Sequence, residues 1–206
     1  MRNSFLPLIP ELETAIELLD GAAEAMLAHD FETARKLITK ADISEICEYN
    51  AKITGPTDPT IHWQSTTPPS AVPSYERASV RMPTAKEEQA IFERDGWRCR
   101  YCGCNVISKK ARSVLTKIFP VEARWGRANA DKHCALVTLT ASLDHILPHS
   151  RRGTNEPSNL VTACGPCQFG RNQWTLEEVG FNDPRERPPI IDSWDGLMRI
   201  VDQKFK

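Results

Sequence analysis

Two pairs of cysteines, Cys99-Arg-Tyr-Cys102 and Cys164-Gly-Pro-Cys167, have the spacing at which two thiolates close around one metal ion. Two such pairs complete a tetrahedral set, so Cys99, Cys102, Cys164 and Cys167 are expected to hold a structural zinc. The chain has 7 cysteines, an odd number, and its opening MRNSFLPLIPELE turns acidic where a secretory signal would stay apolar. Both features point to a reducing, cytoplasmic setting and away from a disulfide framework. Cys104 and the His133-Cys134 pair have no matching second knuckle, and Cys47 reads as a core residue. Four thiolates on one divalent ion leave excess negative charge, which Arg94, Arg98, Arg100 and Arg171 are expected to offset.

A zinc ribbon used only for binding needs nothing more, but this chain places further chemistry between its knuckles. The stretch ALVTLTASLDHILP alternates apolar and polar residues and reads as a strand that delivers Asp144-His145 at its end. The loop HSRRGTNEPS follows, with Gly153 and Asn155 for the turn, and Asn159-Leu-Val-Thr-Ala reads as a short second strand leading into Cys164. The segment CQFGRNQWTLEEVG then reads as one helix, with Trp174, Leu176 and Val179 for packing and Gly180 at its end. The order is strand, loop, strand, helix.

On C-x₂-C, then L-D-H-I-L-P, then S-N-L-V-T-A-C-G-P-C, the sequence resembles the HNH, or ββα-metal, endonucleases of the cysteine-knuckle type over roughly residues 94–180. The resemblance implies an α+β fold: a ββα-metal core with a structural Zn(Cys)₄ site, here preceded by a small helical N-terminal region. It implies metal-dependent hydrolysis of DNA phosphodiesters to 5′-phosphate and 3′-hydroxyl ends, with RNA as an open alternative. That reaction needs a deprotonated water, neutralised charge at phosphorus and a stabilised leaving oxygen. His145 suits the general base, because neutral imidazole accepts a proton near pH 7. Asp144, on the opposite strand face, offers a hard oxygen to a divalent cation. Asn159 is implied to hold the loop by hydrogen bonds and to orient the histidine. After the last cysteine the family carries His or Asn, and here Gln168 stands there, with Asn172 four residues on and expected on the same helical face. Amide and carboxylate oxygens suit Mg²⁺ or Mn²⁺. The competing reading is a non-catalytic zinc-bound nucleic-acid-binding or adaptor module with a degenerate nuclease site.

Around this core the chain divides into helical residues 1–53, a Pro-rich linker or strap at 54–83, the nuclease domain at 84–182 and a C-terminal strap and helix at 183–206. Leu12, Ile16, Leu19, Ala23, Met26 and Leu27 recur at helical spacing, Asp30 suits a cap for a second helix, and Asp42 with Glu45 resembles a capping box opening a third. Trp63 and Tyr75 are candidates to pin the strap to a surface, and Thr84 caps the helix that Gly96 ends. Asp192 or Ser193 is expected to cap a last amphipathic helix bearing Trp194, Leu197, Met198 and Val201.

A net charge of −1 conceals an asymmetry: residues 1–60 hold five Lys/Arg against eleven Asp/Glu, residues 94–152 twelve against four. Lys109, Lys110 and Arg112 in the basic insertion 105–134, with Arg151 and Arg152 after His145, are candidate phosphate contacts. Surface solvation explains the insertion nearly as well. The acidic helices are a candidate docking surface for an ATPase or sensor partner, as in restriction or anti-phage defence complexes, and a homodimer would bring two sites together. No apolar run suits a membrane span.

Overall fold

Leu12, Ile16, Leu19, Ala23 and Met26, spaced three or four residues apart, form the buried face of α1 (Pro10–Leu27) in the computed structural model, which describes residues 1–55 and 71–205. Asp30 Oδ1 accepts from the Thr33 amide at 3.0 Å and starts α2 (Phe31–Ala41), which packs along α1. The capping box expected from Asp42 and Glu45 does not form. Asp42 Oδ1 instead accepts from the Cys134 amide at 2.7 Å and its other oxygen pairs with Arg124, so α3 (Ser44–Thr54) begins without a side-chain cap. A guanidinium and a buried amide from a distant segment outweigh the local cap.

Thr84 and Glu87 form a full capping box at α4 (Ala85–Arg94), which closes before Gly96 at φ 66°. Ser108 caps α5 (Lys109–Ile118) within the basic insertion. The long strand expected over ALVTLTASLDH is overturned. Residues 134–139 form a short helix, α6 (Cys134–Leu139), capped by the His133 imidazole, and only β1 (Ser142–His145) is extended. Ala135, Leu136, Thr138 and Leu139 are all buried, so the period-two pattern described a largely enclosed segment, where periodicity does not separate helix from strand.

β1 pairs antiparallel with β2 (Leu160–Ala163), Asp144 opposite Val161 and His145 opposite Leu160. The single helix expected after Cys167 is two: α7 (Gly165–Arg171) and α8 (Leu176–Val179). Asn172 leaves the helix at φ 47°, ψ −115°, and Thr175 opens α8 with its own capping box to Glu178. The C-terminal helix is also absent: Asp192 accepts from the Trp194 amide and Asp195 from those of Leu197 and Arg199, leaving one 3₁₀ turn at Met198–Ile200. Short aspartate-to-backbone bonds of this kind compete with the helical ladder.

One continuous set of buried side chains runs from Leu19, Met26 and Ile38 in the N-terminal helices to Leu136, Leu143 and Leu160 around the sheet. α3 packs on α6 and α7, so the rest of the chain covers the face that a lone helical unit would leave open. Cys47 and Cys134, 87 residues apart, are joined by a disulfide at a Cα–Cα distance of 4.8 Å that ties α3 to α6. This corrects the expectation of reduced cysteines throughout and removes the cysteine count as an argument for a reducing compartment. Trp63 lies outside the described residues. Tyr75 is exposed and pins nothing; backbone and polar contacts hold residues 71–83 instead. Among the described residues no helix is long and apolar enough to cross a membrane.

The fully buried His133 donates from Nε2 to the Ile38 carbonyl at 2.9 Å, while its Nδ1 accepts from the Leu136 amide at 3.3 Å. Both ring nitrogens are therefore used by the neutral form, and burial pushes the imidazole down from 6.5 to about 4. The unfolded chain takes up a proton first, so this contribution to stability is complete above pH 6.5 and declines as the pH falls from 6.5 toward 4. The loss amounts to roughly 3 kcal/mol. Urea unfolding at pH 7 and pH 4.5 should show a smaller acid loss in His133→Gln than in the wild type; equal losses would contradict it.

Candidate active site

The register of the hairpin sets Asp144 and His145 at the end of β1, and the Cys164–Cys167 knuckle sets α7 beside them. The thiol groups of Cys99, Cys102, Cys164 and Cys167 all lie within 4.8 Å of one another, as one tetrahedral ion requires. Three of the four residues are buried, and the set is compatible with zinc. A fifth thiol, Cys104, lies 3.5 Å from Cys102. The arginines expected to offset thiolate charge are engaged elsewhere: Arg94 with Asp95, Arg98 with Asp192, Arg100 near Asp95 and Arg171 with Asp144.

A cleft of about 260 Å³ opens at the end of β1, lined by Asp144, His145, His149, Gln168, Arg171 and Asn172 together with Arg81. His145 is buried, and its Nε2 stands 2.9 Å from Asn155 Oδ1, while Asn155 Nδ2 donates to the Val80 carbonyl at 2.9 Å. The amide is thereby oriented with its oxygen toward the ring, so Nε2 carries the proton and Nδ1 keeps the free lone pair. Burial holds the His145 imidazole below its ordinary value, with the Asn155 hydrogen bond opposing. The ring is thus a neutral base near pH 7.

Asp144 is buried and engaged at both oxygens. Its Oδ2 accepts from the Tyr101 hydroxyl at 2.8 Å and from Arg171 Nε at 2.5 Å, and Oδ1 accepts from Arg171 Nη2 at 2.6 Å. Arg171, fully buried, also donates to the His145, Ile146 and Trp174 carbonyls, so one guanidinium fastens the end of β1 to the end of α7. Burial alone would lower the Arg171 guanidinium, but the Tyr101 and Asp144 oxygens raise it above its ordinary value. Removing one partner from a buried bidentate pair typically costs about 3–5 kcal/mol.

Asn159 spans the loop after His145. Its Oδ1 accepts from the Leu147 amide at 2.8 Å, and its Nδ2 donates to the Leu147 carbonyl at 3.1 Å and the Thr154 carbonyl at 2.9 Å. Gly153 completes the turn where a Cβ would lie 1.7 Å from the Leu147 carbonyl oxygen. Gln168 borders the cleft from α7. Asn172 also borders it, but from beyond the helix end rather than from the face it was expected to share with Gln168.

The basic candidates are scattered. Lys109 pairs with Glu88, Lys110 bonds Gln89 and Arg112 stacks on Trp125, and none of these three lines the cleft. Arg151 pairs with Glu178 and Arg152 with Glu76. Sequence spacing did not single out Tyr101, His149 or Arg81 for the site, nor the pairing of Arg171 with Asp144. Asn155, read only as a turn residue, is the partner of the His145 ring. Asn-Glu-Pro after a glycine signals a turn, and nothing in it signals a histidine partner.

Residues 131–168 match the HNH endonuclease family. The matched segment runs through both strands and ends on Gln168, enclosing Asp144, His145, Asn159, Cys164 and Cys167. The chain therefore carries an HNH endonuclease domain, in which a two-stranded hairpin and a short helix meet at a four-cysteine cluster. No curated protein and no solved structure matches the chain.

Proposed function

We propose that this protein is a metal-dependent endonuclease that hydrolyses DNA phosphodiesters. The observation that carries the reading is the buried His145, its Nε2 held by Asn155 so that Nδ1 is left to accept a proton, in the same cleft as Asp144 and Gln168. In the proposed reaction a water oxygen bonds to phosphorus and its proton passes to Nδ1. The P–O3′ bond breaks, and the 3′-oxygen takes a proton from solvent, leaving 5′-phosphate and 3′-hydroxyl ends. Asn159 keeps the loop closed on the histidine.

The donor set fits a hard divalent cation. Among the described residues Asp144 Oδ1 accepts one hydrogen bond, from Arg171, and keeps a lone pair, and the Gln168 and Asn172 side chains make no hydrogen bond. Mg²⁺ or Mn²⁺ held by these oxygens would neutralise charge on the phosphate and the leaving group. The Arg171 guanidinium cancels much of the Asp144 charge, which favours a weakly held, exchangeable cation. The four cysteines are assigned a structural zinc.

The expected result is nicking of supercoiled plasmid by the zinc-loaded protein only when Mg²⁺ or Mn²⁺ is added. Persistent inactivity with either metal, in protein that retains its zinc and its melting transition, would favour the non-catalytic zinc-bound module.

A further inference from the structure

Residues 71–83, AVPSYERASVRMP, begin as an extended strap with a proline at Pro73 and another at Pro83, where a continuous helix is denied. The strap is fastened across the loop that follows His145. The Val72 amide donates to the Ser150 carbonyl at 2.9 Å, His149 Nε2 donates to the Ala78 carbonyl at 2.9 Å, and Asn155 Nδ2 reaches the Val80 carbonyl at 2.9 Å. Glu76 adds an ion pair to Arg152. Asn155 thus joins the strap directly to the His145 ring, and the next residue, Arg81, lines the cleft.

The other cleft groups capable of positive charge are committed. Arg171 is buried against Asp144, His145 turns its Nε2 onto Asn155, and His149 spends Nε2 on Ala78. Arg151 and Arg152, the cations nearest in sequence to His145, are paired with Glu178 and Glu76. Arg81 is exposed and makes no hydrogen bond or ion pair among the described residues. A planar guanidinium on a braced backbone, in the same cleft as the His145 ring, matches two non-bridging phosphate oxygens.

We propose that Arg81 clamps the scissile phosphate, making the strap part of the catalytic site although it precedes the HNH segment by some fifty residues. The proposal rests on the phosphodiesterase reading above. Arg81→Gln is expected to lower kcat for plasmid nicking by about 10²–10³-fold, the cost of losing one preorganised transition-state contact. Arg81→Lys keeps the charge without the fork and should recover part of it. Zinc content and melting should not change, and Lys86→Gln, which removes an exposed charge on α4 away from the cleft, should cleave normally.

DNA binding read against salt gives an independent measure: Arg81→Gln should lower the slope of log K on log [salt] by about 1. A wild type that binds but does not cut would remove the hydrolytic reading while this slope still tests the phosphate contact. A wild type that cuts, with Arg81→Gln within twofold of it, overturns the clamp. A rise in KM at constant kcat overturns its assignment to the scissile phosphate.

Discussion

His145→Ala is expected to lower metal-dependent plasmid nicking by about 10²–10⁴-fold, the usual contribution of a positioned general base. The Nε2–H bond to Asn155 leaves Nδ1 as the only proton acceptor on the ring, and alanine removes it without disturbing Asp144, which Arg171 and Tyr101 hold independently. Zinc content should therefore match the wild type. The pH profile provides a second reading. Burial holds the imidazole below its ordinary value, and in the proposed mechanism the neutral form is the active one, so the acid limb of the rate should be centred below pH 6.5. An acid limb centred above 6.5 would contradict a buried neutral base. Equal cleavage by both proteins would assign the base elsewhere, and His149 is the first residue to examine, its ring centroid 6.1 Å from that of His145.

Removing the metal from the four-cysteine cluster is expected to unfold the domain rather than merely inactivate it. Structural zinc contributes about 10–16 kcal/mol of apparent binding free energy at pH 7. The net stability of a domain is only about 5–15 kcal/mol. The cluster also has a specific structural task. Cys164 is the N-cap of α7 and Cys167 lies in its first turn, and the same helix carries Gln168 and Arg171. The first knuckle is bound to the second strand through the Arg100 amide, 2.8 Å from the Thr162 carbonyl. Metal chelation or Cys164→Ser should abolish the cooperative melting transition, with metal content measured alongside. Cys104→Ser should retain one zinc per chain, because the thiols of Cys99, Cys102, Cys164 and Cys167 complete a mutually close four without the neighbouring Cys104. A metal-free protein that melts within a few degrees of the loaded one would remove the structural assignment.

Several local features were legible because their causes are local. The helical spacing of α1, the Asp30 cap and the Thr84–Glu87 capping box need only neighbours within four residues. Asp42 shows where such reasoning stops. Its sequence context suits a cap, but the Cys134 amide and Arg124, more than eighty residues away, take both oxygens. The strand expected before Asp144 failed for a related reason: a mostly buried segment offers too little solvent face from which to read a period. Asn172 could not be placed from its spacing to Gln168, since a backbone turn at φ 47° carries it out of the helix.

By itself, the sequence determined the chemistry available: two thiolate pairs at metal spacing, an aspartate-histidine pair between them, an asparagine at the head of the second strand, and an amide after the last cysteine where the resemblance implies His or Asn. These are properties of residue type and short spacing. Only the tertiary structure decided how each group is used. Packing joined Cys47 to Cys134, set Arg171 against Asp144 rather than the thiolates, turned Asn155 onto His145 and brought Arg81 into the cleft. Each of these contacts joins residues that close only when the chain folds, and their ionic and hydrogen-bonding partners are selected by which groups burial brings together.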